Sequence, residues 1–158
     1  MAKRILNMVP QELINLTKDE FLSAIAGSEG RVLASETIGV TIPLLTDVTN
    51  AEFAASMGAD LILLNMFDVR TPNIMALPKV KPEDTVREVK RLTGRMVGIN
   101  LEPVDDEAAK ENAETLWEMS AGRYATADNA EIAADMGVDM IVLTGNPGNG
   151  VSNKAIVD

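Results

Sequence analysis

Residues 50–64 read NAEFAASMGADLILL and residues 129–143 read NAEIAADMGVDMIVL, identical at ten of fifteen aligned positions. Each stretch begins with the spacing of a short amphipathic helix, turns at a glycine (Gly58, Gly137) and ends in an apolar strand. One αβ module is therefore used twice. Such modules build parallel sheets with helices outside, and they gather ligand chemistry where the strands end.

Working outward from the repeat, residues 31–37 (RVLASET) predict a first strand, 60–65 a second and 96–102 a third. A short fourth is expected over 123–127 and a fifth over 140–144. The intervening segments carry helix signals. The stretches 17–20 (TKDE), 49–52 (TNAE) and 128–131 (DNAE) read as capping boxes. Pro10 opens a short turn, and Pro82 leads a helix with Val86, Val89 and Leu92 on one face, closed by Gly94. A helix over about 106–121 should turn Ala109, Ala113, Leu116 and Trp117 inward.

The organisation is thus an N-terminal helical segment (1–30) and a (βα)5 domain (31–158). Two architectures accommodate it. One is the first five units of a TIM-type barrel, a partial barrel, since a full one needs eight strands. The other is an open five-stranded doubly wound sheet. In the third strand Gly98, Asn100 and Glu102 share one face while Val97, Ile99 and Leu101 share the other. A barrel interior turning polar toward its mouth gives that pattern, whereas a central open-sheet strand is apolar on both faces.

Composition narrows the chemistry. The 158 residues carry 46% hydrophobic side chains, no cysteine, no histidine and a formal charge of −10. Disulfides, thiolate nucleophiles, histidine triads and histidine–metal sites are excluded. Scattered Lys and Arg with five aromatic residues argue against nucleic acid as a partner. No run of eighteen apolar residues occurs, and the start MAKRILNMVP has no apolar h-region, so a cytoplasmic protein with no membrane partner is expected.

Polar residues recur where the strands finish: Glu36, Asn65, Asn100, Glu102, Thr126, Thr144 and Asn146. Superposing the repeat places Asn65 opposite Thr144. Glu36, Glu102 and Asn100 are the candidate catalytic residues, with a carboxylate serving as general base. Glu36 and Glu102 are also the candidate ligands of a Mg²⁺ ion, which takes carboxylate and substrate oxygens. Asp68, just past its strand, reads first as a loop or capping residue.

The segment 143–150, LTGNPGNG, runs from an apolar strand through three glycines toward a helix start at Ser152. It lacks the Gly-Lys-Ser/Thr ending of a phosphate-binding P-loop and is not a dinucleotide fingerprint. Backbone N–H groups there suit a phosphate or carboxylate, and a tight turn needing positive φ accounts equally for the glycines. Asn65, Thr144, Gly145, Asn146, Gly148 and Gly150 are the candidate ligand-binding residues. No lysine lies in a predicted strand, so a Schiff-base mechanism has no nucleophile there.

The blocks SEGRVLASET, TNAEFAASMGADLILLNMFDV, VGINLEPVD and VLTGNPGNGVSN resemble a family of bacterial TIM-barrel proteins labelled phosphoenolpyruvate phosphonomutase-like or putative hydrolase. The resemblance covers nearly the whole chain. It implies a barrel holding a small anionic metabolite at the strand C-termini, on Glu36, Asn65, Asn100, Glu102, Thr144, Gly145 and Asn146. The phosphonomutase and isocitrate lyase group carries an Asp-rich metal-binding run, where this sequence has only Asn100, Glu102, Asp105 and Asp106. Members of the family are longer, so the resemblance implies a C-terminally truncated barrel. Its first and fifth strands would be open edges, a route to a homo-oligomer. Three functions stand at this point: a barrel enzyme, a non-catalytic anion-binding module, or an inactive fragment.

Overall fold

The computed structural model describes residues 3–105, 119–145 and 150–157. Its centre is a parallel sheet of four strands, β1 (Ala34–Ile38), β2 (Leu61–Asn65), β3 (Met96–Leu101) and β4 (Met140–Leu143), in the order β1-β2-β3-β4. The described helices are α1 (Pro10–Leu13), α2 (Lys18–Gly27), α3 (Asn50–Ser56), α4 (Thr85–Thr93), α5 (Ala127–Asp135) and α6 (Asn153–Val157). The helix expected over 106–121 lies mostly outside the described residues. No described helix is long and apolar enough to cross a membrane.

Two expectations are corrected. The strand expected over 123–127 does not join the sheet: Ala121–Arg123 form a 3-10 turn and Tyr124 makes one isolated parallel bridge to Glu102. Both edges of β3 are already taken, by β2 and β4, so no ladder position is left for that segment. The sequential strand order also has no reversal, which removes the switch point that a doubly wound sheet requires.

The repeat is explained by what its residues grip. Asp60 accepts from Leu33 N–H through Oδ2 (2.9 Å) while its own N–H donates to Leu33 O (2.8 Å). Asp139 does the same to Val97, at 2.8 Å for both bonds. Each aspartate thereby fixes the register of the strand it enters against the preceding neighbour. Gly58 and Gly137, at φ +101° and +89°, supply the left-handed turn just before it. The module asparagines act alike too: Asn50 Oδ1 accepts from Leu44 N–H (3.0 Å), and Asn129 Nδ2 donates to Ala121 O and Tyr124 O (2.9 and 2.8 Å). Most of the repeated polar identity is therefore structural.

The helix starts differ in one detail. Thr17 and Thr49 close reciprocal capping boxes with Glu20 and Glu52, as their sequences require. In the second module the cap is Thr126, which accepts from Asn129 N–H (3.2 Å), not Asp128. The Asn129 side chain is drawn back onto the preceding loop, and the helix begins two residues sooner than Asn129.

Alternation along the strands gives the sheet two distinct faces. On one, Ile62, Leu64, Val97, Ile99 and Leu101 are buried with Ala51 of α3, Val86 and Val89 of α4 and Ala133 of α5. On the other, Leu61 and Met96 at the strand beginnings pack with Ile5, Leu13, Phe21 and Ala24. The N-terminal helices thus cover the start of the second face, leaving its other end to polar residues. β3 is buried throughout, while β1 and β4 are the edges, with Leu33, Ile141, Val142 and Leu143 exposed.

Candidate functional site

Three residues from three strands meet at the C-terminal end of the second face. Asn100 Nδ2 donates to Thr144 Oγ1 at 2.8 Å and to Glu36 Oε1 at 3.3 Å. Asn100 is only 8% exposed, whereas Glu36 is exposed and Thr144 half-buried. A carboxylate is acceptor-only, so the amide orientation of Asn100 is fixed by Glu36. Its Oδ1 then turns away, buried and without a hydrogen-bond partner. The only other such atom among the described residues is Thr37 Oγ1, whose register partner Leu64 belongs to the helix side.

The Glu36–Asn100 contact carries geometric information. Their strands are separated by β2, a span of roughly 10 Å in a flat sheet, so a direct bond between them requires a sheet curled toward this face. Register adds a second fact. Glu36 is level with Leu63, and Leu63 with Gly98, so Asn100 lies two residues further along than the level partner of Glu36. Gly98 has no side chain to obstruct that diagonal, and Met140 fills the space instead: a Cβ on Gly98 would fall 2.5 Å from Met140 Cγ.

The remaining candidates are distributed as follows. Asn65 ends β2, where its Oδ1 accepts from Met66 N–H (2.7 Å) and holds Met66 at φ +57°. A left-handed non-glycine residue is costly, and this one stands at the rim of the site. Glu102 is not joined to Glu36 by any described bond. Its buried carboxylate takes Arg123 Nη2 at 2.5 Å, and both backbone groups are bonded across to 123 and 125. Gly145 follows Thr144 and is exposed. Asn146 and Gly148 lie outside the described residues. Gly150 has φ +74°, and its carbonyl accepts from Asp105 N–H at 2.9 Å. Ser152 Oγ donates to Asp105 Oδ2 at 2.6 Å and caps α6 by accepting from Ala155 N–H. The far end of the glycine loop is therefore fastened to the segment after β3, with Gly150 in a left-handed turn.

Among the described residues no ready donor set for a Mg²⁺ ion is assembled. Glu102 is engaged by Arg123, Asn100 presents its NH₂ rather than its carbonyl toward Glu36, and no group of three acidic residues is assembled among the described residues.

A second polar cluster surrounds Asp68 in the loop after β2. Asp68 Oδ1 accepts from Arg70 N–H (2.7 Å) and Thr71 N–H (2.9 Å), and Arg70 Nε donates to Asn129 Oδ1 (2.9 Å). Burial pushes the Asp68 carboxyl up, but hydrogen bonds from Ser120, Thr71 and Arg70 together hold it below its ordinary 3.8. Gly122 makes this possible, because a Cβ there would sit 1.8 Å from Asp68 Oδ1. Arg70 is thus held in the framework of the loop after β2.

With this geometry in view, comparison with known families is decisive on one point. Residues 6–158 match the family model described as Domain of unknown function (DUF7916). The chain belongs to that family. No curated protein and no solved structure matches it. The matched range includes the repeat, Asp60, Asp139 and the residues of the Glu36–Asn100–Thr144 cluster.

Proposed function

We propose that this DUF7916 chain forms part of a TIM-type barrel enzyme that binds a small phosphorylated or carboxylated metabolite at the strand C-termini, in phosphonomutase/lyase-like or hydrolase-like chemistry. The observation that carries the reading is Asn100 linking Glu36 on β1 to Thr144 just past β4. The side chains of Glu36 and Asn100 meet on a diagonal, two residues apart across two strands, as interior residues of tilted barrel strands do. In such barrels an interior layer is drawn from alternate strands, as Glu36 and Asn100 are. The sequential strand order and the helices covering the opposite end support the same architecture.

Glu36 is the acid–base group in this reading, being the one carboxylate of the cluster exposed to an entering ligand. Asn100 and Thr144 orient it and the substrate. Exposed Gly145 offers backbone to the anionic end. The open edges β1 and β4 are the surfaces for self-association. The alternative, a non-catalytic anion-binding module, draws support from the commitment of Glu102 to Arg123, which leaves Glu36 as the cluster's single titratable group.

A thermal-stabilisation screen over sugar phosphates, phosphonates and 2-oxo acids, with and without Mg²⁺, tests the reading. A stabilising anion whose turnover is lost in Glu36→Gln while binding persists is the expected result. Stabilisation by none of these classes would sink the proposal, and binding without turnover would favour the binding module.

A further inference from the structure

The Asn100–Glu36–Thr144 cluster is rich in acceptors and poor in donors. Both N–H bonds of the Asn100 amide are spent, one on Thr144 and one on Glu36. What remains is Asn100 Oδ1, the Glu36 carboxylate and the Thr144 hydroxyl, whose O–H is the cluster's one uncommitted side-chain donor. Asn100 Oδ1 is buried with no donor, and a buried acceptor left unmade costs about 1–3 kcal/mol. The bond to Glu36 is also slack. A hydrogen bond to a carboxylate ordinarily closes to about 2.7–2.9 Å, and this one stands at 3.3 Å. The amide is held on one side by Thr144 and only loosely on the other.

Resting on the site proposed above, we infer that the ligand brings a hydrogen-bond donor group, a hydroxyl or an ammonium, to Glu36 and Asn100, and that its anionic group lies elsewhere on the rim. A phosphate or carboxylate oxygen set against Glu36 would meet like charge and the Asn100 carbonyl acceptor, with the Thr144 hydroxyl as the single donor to receive it. A donor group entering beside the exposed Glu36 carboxylate replaces the slack amide contact, and the amide turns so that Oδ1 accepts from the newcomer. The carboxylate and Oδ1 are then paired in exchange for the 2.8 Å bond from Nδ2 to Thr144, whose hydroxyl can donate to Oδ1 in turn. The ligand class is a small anion carrying an alcohol or amine a few bonds from its charge.

Calorimetric titration of the 158-residue chain with three probes of similar size tests this. Propyl phosphate has no donor, glycerol 3-phosphate offers hydroxyls and O-phosphoethanolamine offers an ammonium. At least one donor-bearing probe should bind about tenfold tighter than propyl phosphate, the scale of a single hydrogen bond to a charged group. Which of the two does so identifies the donor. Asn100→Leu should bring that probe down to the propyl phosphate level. Glu36→Gln should weaken an ammonium more than a hydroxyl. Cooperative unfolding of both variants above the titration temperature keeps the comparison valid, and Thr144→Val serves in place of either variant that fails to fold. Equal affinity for all three probes would overturn the inference while leaving the anion site standing. Binding of none would overturn the site itself and the inference with it.

Discussion

Asn100 and Thr144, forty-four residues apart, are joined by a 2.8 Å hydrogen bond, and the same amide nitrogen reaches Glu36 from the far side of β2. Three strands therefore deliver one polar group each to a single point. Leu63, Gly98 and Val142 occupy adjoining positions of the same face, and Asn65 ends β2 beside them.

Asn100→Asp should give this point a pH signature. It sets a second carboxylate against Glu36, and the like charge at that range disfavours ionisation of the new Asp carboxyl in the folded chain, raising its pKa above the ordinary value of about 3.9. A raised folded pKa means stability that is present in acid and lost as pH rises. Urea unfolding of the variant should match the native chain best near pH 3 and fall behind as pH climbs through about 4 to 6. Asn100→Leu keeps the branched shape but deletes the unpartnered acceptor together with the bonds to Thr144 and Glu36, and should cost about 1–3 kcal/mol with no dependence on pH.

The two Asp latches should not be equivalent. Asp60→Ala removes one acceptor from Leu33 N–H and should cost about 1 kcal/mol. Asp139 additionally holds Lys90 at 2.6 Å, with both side chains only 13% exposed. Asp139→Ala strands that ammonium and should cost about 3 kcal/mol. Chemical denaturation of the two variants side by side measures the difference, and equal losses would refute the buried-pair argument.

Gly122→Ala should be among the most damaging small substitutions. The added methyl would lie 1.8 Å from Asp68 Oδ1 and 2.8 Å from Arg70 N, and the second contact is backbone. Overpacking of this kind costs about 1–3 kcal/mol. Gly122→Ala with Asp68→Ala should recover only part of it, since Arg70 N remains in the way. Gly98→Ala meets the Met140 side chain instead, which can shift, so its thermal midpoint should fall less.

Asp68 itself should shape acid unfolding. Its carboxyl is held below the ordinary value, so its contribution is present above the unfolded pKa and is lost as pH falls through the lower folded one. The stability of Asp68→Asn should therefore be lower than the native chain at pH 6, with the gap closing below about pH 4. A gap that stays constant from pH 6 to pH 2 would contradict the assignment.

Much of the frame was legible because it is local. The capping boxes at Thr17 and Thr49, the Gly94 stop and the alternation of β3 are written within a few residues of where they act. The gripping role of Asp60 and Asp139 was visible only as identity within the repeat, since their partners sit in other strands. Three features turn on distant partners. Residues 123–127 look like a strand, yet β4 occupies the edge they would need. The carboxylate of Glu102 is met by Arg123, a partner that its own strand does not announce. Asp128 looks like a cap, yet the demand of Ala121 and Tyr124 carbonyls on Asn129 shifts the helix start. Asn100 was singled out by alternation, but its unpartnered Oδ1 depends on residues 36 and 144 and appears only in three dimensions.

The side-chain NH₂ resonances of Asn100 in an ¹⁵N-resolved NMR spectrum report most directly on the convergence of the three strands. If Asn100 bridges Glu36 and Thr144, Glu36→Gln and Thr144→Val should each shift those resonances and speed their exchange with water. Resonances indifferent to both substitutions would contradict a shared site on a curled sheet.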